Sequence, residues 1–483
     1  MGRIVVDAAD GQRKLSRGRS GMEASDLLRE VGAYCSRASL AESTFGRLAV
    51  NDGKLIARLR DGGRITRRTL DRVRSYIIEH PAETAQRNSV VRPQRDPAKP
   101  EPGSLDVTEN TRRNFRFFDN RQKYLLFVNT CSEKWVVANR VAEELANIRP
   151  RPPALRLFDA GVGDGTVLAR VMRAMHARYP TMPFYVVGKE ISLEDIRLTL
   201  DKLPDRFYEH PATVVVLTNM FYSEAPWLRV SSPGAAASMV WREVPLVGNA
   251  SHDFEEQIAE LQPFLGENWK ATASNKTGNP IYERPVALVL YRQDHRFLLE
   301  SIIPRLGRAE ADYDLVIASQ PYRARVPAEF KAKRVIAPLT RALGPGGRLI
   351  GIHSHGGDPG MEIIKRIWPS ENPFRTGRHA VLDAVKKELG TARRDFNFNA
   401  YADARSVFRY DMHTLPNEVS GPIGTSTLFA AWNAAIYVAQ IEDERLDGVV
   451  KSGAYLDATR DVVRRNGGLW FLDESYVVSR RRQ

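Results

Sequence analysis

The 483-residue sequence predicts an α/β fold: a Rossmann-like, mostly parallel seven-stranded sheet with helices on both faces, joined to a small all-α N-terminal domain. Three observations lead there. Apolar strand-like runs recur at 155–159, 184–190, 213–218, 286–291, 314–318 and 348–352, with helical stretches between most of them. One run empties directly into a glycine-rich turn, "AGVGDGT". A proline- and charge-rich stretch, "PAETAQRNSVVRPQRDPAKPEPGS" (81–104), separates this alternation from a basic helical segment.

Taken along the chain, residues 1–24 read as a basic tail and 25–80 as a helical module. Within the module, "SLAESTFGRLAVNDGKLIARLRDGGRITRRTLDRVRSYI" (39–77) places apolar residues at helical intervals in three short segments, broken at "NDG" and "DGG". That is the layout of two short helices joined by a tight turn, with a third following. After the 81–104 linker, residues 105–483 read as one α/β domain that opens with helices over 117–148. The strand spacing slips at 220–285, where "SSPGAAAS" and "SNKTGNP" mark an insertion. Its stretch "WKATASNKTGNPIYERP" (269–285) suits a lid or a solvated excursion equally well.

Composition narrows the classes. The chain is 43% apolar and 27% charged, which is ordinary for a globular protein. No apolar run approaches the roughly 20 residues that span a bilayer, so no membrane partner is expected. The opening "MGRIVVDAADGQRK" lacks the apolar core of a secretory signal. Cys35 and Cys131 lie in separate segments and match no metal spacing, so a reducing cytoplasm is expected and a metal is not. The net charge of +13 is uneven: +8 falls in the first 100 residues and +5 in the rest. An anionic partner for the front module would explain this, and so would a solvated basic surface.

The glycine turn carries the chemistry. The strand at 155–159 ends in Asp159, and Gly161, Gly163 and Gly165 leave the backbone bare before a helix that starts near Val167. Dinucleotides and S-adenosylmethionine both use such a turn. A dinucleotide fingerprint is G-x-G-x-x-G, with the pyrophosphate on the helix N-terminus. Here the spacing is G-x-G-x-G, and the acid before it would repel a pyrophosphate but suit a cationic amino group. Glu190, at the end of the second run, can accept ribose hydroxyls from either cofactor.

The sequence resembles the class I S-adenosylmethionine-dependent methyltransferases. Three stretches carry the resemblance in order: "LFDAGVGDG", "DYDLVIASQPY" (312–322) and "LGPGGRLIGI" (343–352). It implies S-adenosyl-L-methionine as cofactor, with Asp159, Gly161, Gly163 and Gly165 at its methionine end and Glu190 at its ribose. Asn219, or else Asp294, would meet the adenine. The loop Ser319-Gln320-Pro321-Tyr322 would face the methyl group, Ser319 on the cofactor side, Gln320 and Tyr322 toward the acceptor. An acid or amide, Pro-Pro, then an aromatic is common there in enzymes that methylate nucleic-acid or protein amines; serine and glutamine here depart from it, which speaks against base methylation. His353 would line the pocket as a base and His355 would be solvated. Tyr410, Asp411 and His413 are further pocket candidates.

Two finer likenesses accompany this one. "FFDNRQKYLLFVNTCSEKW", the long first helix ending in "ARYP", and "SHGGDPGMEIIKRIWP" look similar to histamine-type small-molecule N-methyltransferases. Residues 39–77 resemble lambda-repressor-like DNA-binding domains. That implies a second helix near 42–50 and a recognition helix near 53–60, with Lys54 and Arg58 toward a groove and Arg64, Arg67 and Arg68 near phosphates. A docking bundle with solvated arginines is the plainer alternative. The expected function is methyl transfer to a small-molecule or other diffusible acceptor at nitrogen or oxygen. A DNA-binding regulator or nucleic-acid methyltransferase is the alternative, and a nicotinamide oxidoreductase is disfavoured by the glycine spacing.

Overall fold

The computed structural model describes residues 26–37, 40, 42–50, 52–61, 65–80, 121–274, 279–413 and 423–482. The 1–24 tail, the 81–104 linker and Arg64 lie outside the described residues. The chain divides into two compact units, with the boundary at Ser104/Leu105.

The first unit is helical: α1 (26–37), α2 (Glu42–Val50), α3 (Leu55–Arg60) and α4 (Arg67–Glu79). Its core is Leu27, Val31, Tyr34, Phe45, Leu55, Ile56, Leu59, Leu70 and Val73. The α2–α3 turn is tight, with Asp52 donating its amide to the Gly46 carbonyl at 3.0 Å. A Cβ on Gly46 would sit 2.4 Å from the Asp52 carbonyl oxygen, so the turn closes this far only over a glycine. Thr66 caps α4 by accepting from the Thr69 amide.

The second unit is a helix–sheet–helix sandwich. Its strands are β1 (Leu155–Asp159), β2 (Phe184–Lys189), β3 (Thr213–Thr218), β4 (Val240–Leu246), β5 (Ala271–Ala273), β6 (Pro280–Tyr282), β7 (Val286–Arg292), β8 (Tyr313–Ser319), β9 (Leu343–Ser354), β10 (Phe396–Asn399), β11 (Val407–Asp411) and β12 (Trp470–Arg480). Ten of them form one sheet, ordered β10-β12-β9-β8-β1-β2-β3-β7-β4, with β11 also paired to β12. Nested within it are seven strands, β3-β2-β1-β8-β9-β12-β10, in which β12 is the antiparallel member. Adjacent residues face opposite layers: Leu157 packs with Val171 and Ile196, Phe158 with Ile336 and Val385. The first layer includes α6 (Glu133–Glu144), α7 (Thr166–Arg178) and α8 (Leu193–Leu200), while the preceding α5 (Arg121–Thr130) packs through Phe127 in a separate cluster with Ala431 and Trp432.

The sheet exceeds the expected seven strands by β4, β7 and β11. The run at 286–291 is β7, and it pairs antiparallel with β3 rather than extending the parallel set. All seven β7 residues are buried, and a strand buried on both faces is continuously apolar in either direction. Its direction was therefore invisible. The 220–285 insertion supplies β4, which pairs with β7 so that β7 covers the free edge of β3.

Candidate functional site

The strand order reverses at β1. The chain builds β2 and β3 on one side of it, β8 and β9 on the other. In such sheets the carboxyl ends of the strands at this switch point form the ligand crevice. The glycine turn follows β1 and lies at that point.

Asp159 is 2% exposed. Its Oδ1 accepts from the Gly161 amide at 3.1 Å, and its Oδ2 has no partner among the described residues. Burial pushes its pKa up to about 7, against the lowering effect of the Gly161 amide and the Lys134 ammonium. Gly165 starts α7 in the left-handed region at φ 79°, and a Cβ there would lie 2.8 Å from the Thr199 Cα. Gly163 has φ 54°. Those two glycines are required by the backbone. Gly161 is not: a Cβ there meets open space.

Glu190 holds the turn to the next element. Its Oε2 accepts from the Gly163 amide at 3.0 Å, and its Oε1 accepts from Ile191 at 2.8 Å and Ser192 at 2.9 Å. The insertion reaches the same place, where Trp269 donates its indole N–H to the Glu190 carbonyl at 3.1 Å. Lys134 comes from α6, with its Nζ 3.3 Å from Glu133 and 5.7 Å from the centre of the Tyr124 ring. Burial works against its charge, but the surrounding acidic groups raise its pKa well above the ordinary lysine value.

Four side chains at one end of the sheet share one face, three at the carboxyl ends of β1, β8 and β9 and one near the amino end of the antiparallel β12. Ile317 and Ile352 pack in the same layer as Leu157, which puts Asp159, Ser319 and Ser354 on that side by alternation. Asp473 is paired with Ser354 across β9 and β12 and so shares its face. Gln320 joins this row. It sits at φ 47° and donates its side-chain amide to Ser354 Oγ at 3.1 Å and Asp473 Oδ1 at 3.3 Å. Asp473 is fully buried, and its Oδ2 has no partner among the described residues.

Tyr322 and His353 lie elsewhere, and their expected place against the acceptor is corrected. Both turn to the opposite face of the sheet. Tyr476 Oη is 3.2 Å from Tyr322 Oη, which is 2.7 Å from His353 Nδ1; His353 Nε2 is 2.7 Å from Glu474. Arg378 donates to Glu474 from both its backbone and its guanidinium at 2.8 Å, and pairs with Asp403. Glu474 can only accept, so His353 donates through Nε2, accepts the Tyr322 hydroxyl at Nδ1, and Tyr322 accepts from Tyr476. Burial holds His353 below its ordinary pKa, in keeping with a neutral ring. Burial opposes the Glu474 charge, but the His353 and Arg378 bonds outweigh it and hold that carboxyl low. Every member of the chain is satisfied, so it braces the sheet.

Asn219 is engaged by the backbone. It is 1% exposed, its amide donates to the Arg284 carbonyl at 3.0 Å, and its oxygen accepts from the Val286 amide at 2.8 Å. It ties the end of β3 to the start of β7, and this holds one of its two N–H groups and one lone pair of its oxygen to the backbone. Asp294 follows β7, whose reversed direction carries it to the opposite end of the sheet from the glycine turn, where it pairs with Arg292. His355 bonds the Gly356 carbonyl at 2.7 Å, and no group of three metal-ligating side chains occurs among the described residues. Tyr410 is buried against Phe127 and Phe471. Tyr124, Lys134, Ser354 and Asp473 escaped sequence reasoning. The first two sat in a stretch legible only as helix, and Asp473 in a strand that its own charge disguised.

No family model and no curated protein sequence matches the chain. Solved structures do. A candidate sarcosine dimethylglycine methyltransferase from Galdieria sulphuraria is 8% identical, with a TM-score of 0.30 over 71% of this chain and 85% of that one. A geranyl diphosphate methyltransferase in complex with GPP and sinefungin is 11% identical, with a TM-score of 0.27 over 71% and 77%. A phosphoethanolamine N-methyltransferase from Haemonchus contortus is 10% identical, with a TM-score of 0.27 over 77% and 60%.

Proposed function

We propose that the second unit is an S-adenosylmethionine-dependent methyltransferase acting on a small-molecule or other diffusible acceptor at nitrogen or oxygen. The observation that carries this reading is the buried Oδ2 of Asp159, without a partner among the described residues, two residues before the open Cα of Gly161 at the switch point. An unpaired buried carboxylate is costly, and a cation that docks against it repays the cost. The methionine end of S-adenosylmethionine offers such a cation; when bound, its sulfonium supplies an activated methyl group. Asp159 would hold the ammonium, Gly161 would let the ligand approach the backbone, and Glu190 keeps one acceptor position for a ribose hydroxyl. Ser319 and Gln320 would border the transfer site, and the helices α5 and α6 would keep water out. The two cysteines are free and buried, which suits a reducing compartment such as the cytoplasm.

The test is to incubate the full chain with S-adenosylmethionine carrying an isotopically labelled methyl and a cell extract, then resolve products by mass spectrometry. Label should appear in a low-molecular-weight product and vanish with Asp159→Ala. Absence of any labelled product would contradict the reading.

The first unit supports a second reading. The tight α2–α3 turn suits a helix-turn-helix that contacts DNA, with Arg58, ion-paired to Asp52 at 2.7 Å at the surface, exchanging that partner for a phosphate. A gel shift with the full chain at rising salt should then show affinity that falls steeply with ionic strength. Salt-independent or absent binding would leave the unit a docking bundle.

A further inference from the structure

A second buried carboxylate shares the crevice with Asp159. Asp473 lies three strands away in the order β1-β8-β9-β12, on the same face and at the same end of the sheet. At about 4.8 Å per strand, the two strands are on the order of 14 Å apart. Both carboxyls feel the Lys134 ammonium of α6. Around Asp473 the groups are specific. Gln320 reaches its Oδ1 from a backbone in the left-handed region, and Ser354 faces it across the ladder. Burial, together with the negative charge of Glu133 and Asp358, disfavours the charged form of Asp473 and pushes its pKa well above the ordinary carboxyl value, and Tyr410 lies nearby. Its Oδ2 remains without a partner although the residue is fully buried.

That arrangement selects for charge. An acceptor hydroxyl could donate to Oδ2 but would bring no charge to offset the buried negative one, and an acceptor carboxylate would be repelled. A basic nitrogen satisfies Oδ2 and offsets the local negative charge. Gln320 and Ser354 fix the carboxyl while leaving its outer oxygen free. A residue held at positive φ without being glycine is a cost a fold retains where the position has work to do.

We propose that Asp473, oriented by Gln320 and Ser354, is the acceptor-binding carboxylate, and that the acceptor carries a primary or secondary amine. This rests on the methyltransferase reading and narrows its acceptor to nitrogen.

The experiment uses the full chain saturated with S-adenosylhomocysteine, titrated calorimetrically with matched pairs: butylamine against butanol, putrescine against 1,4-butanediol, phenethylamine against 2-phenylethanol. At least one amine should bind ten-fold or more tightly than its alcohol. Asp473→Asn should cost that amine ten-fold or more and leave the S-adenosylhomocysteine affinity within two-fold. Gln320→Leu is the second variant, should Asp473→Asn fail to fold, and it should lower the amine preference at least three-fold. Amines that bind no better than alcohols, or variants that keep the preference, would overturn the proposal while the methyltransferase reading stands. Failure of S-adenosylhomocysteine itself to bind would instead remove both.

Discussion

Gly161, Gly163 and Gly165 look alike in sequence but answer to different causes. Gly163 and Gly165 carry positive φ angles, and Gly165 is pressed against Thr199. Gly161 has neither constraint, and the proposed reading gives its bareness to the cofactor. Gly161→Ala should therefore keep thermal stability within about 0.5 kcal/mol while weakening S-adenosylhomocysteine binding by ten-fold or more, read by calorimetry; a large loss of stability would place the residue in the turn instead. Asp159 makes the complementary case. Its folded pKa of about 7 lies above the ordinary aspartate value, so the folded state holds a proton that the unfolded chain releases. That contribution is complete below about pH 4 and is lost as pH rises through 7, a difference on the order of 4 kcal/mol. Asp159→Asn should accordingly stabilise the ligand-free protein at pH 8 and do so much less at pH 5, measured as urea midpoints. Equal effects at both pH values would mean the carboxyl is not buried as described.

Strand β12 shows how one element serves two faces. Asp473 points to the crevice layer, and Glu474, its neighbour, anchors the Tyr476–Tyr322–His353 chain and Arg378 on the other. Breaking a buried ion pair from one side leaves a bare charge, which costs about 3–5 kcal/mol. Arg378→Leu should destabilise on that scale, and Tyr322→Phe by about 1–2 kcal/mol, in denaturant titrations. Neither should move S-adenosylhomocysteine affinity more than two-fold; a large loss of affinity would return Tyr322 to the crevice. Much of the central sheet was legible because β1, β2, β3, β8 and β9 are apolar runs bounded by turn residues. β12 was not, because Asp473 and Glu474 break the apolar pattern of "WFLDESYVVSR" at its middle. Local spacing also places Tyr322 and His353 near a crevice without saying which face they take. The left-handed Gln320 ahead of Tyr322 and the alternation along β9 decide that, and both are properties of the folded backbone.

At the scale of the molecule, two units with separate cores divide the chain: the basic helical unit packs on its own apolar cluster, and the sheet unit on three others. Among the described residues no helix is long and apolar enough to cross a membrane. At one end of the sheet, Asp159 Oδ2 on β1 and Asp473 Oδ2 on β12 are buried without a partner among the described residues. The functional account therefore depends on Asp159 as the seat of a cationic donor. Its most direct test is calorimetric titration of the full chain and of Asp159→Ala with S-adenosylhomocysteine at pH 8. The account predicts one-to-one binding by the wild-type chain and affinity at least 30-fold weaker in the variant, roughly the 2 kcal/mol of a charge-assisted contact. A wild-type chain that gives no binding heat, or a variant that binds as tightly as the wild type, would contradict it.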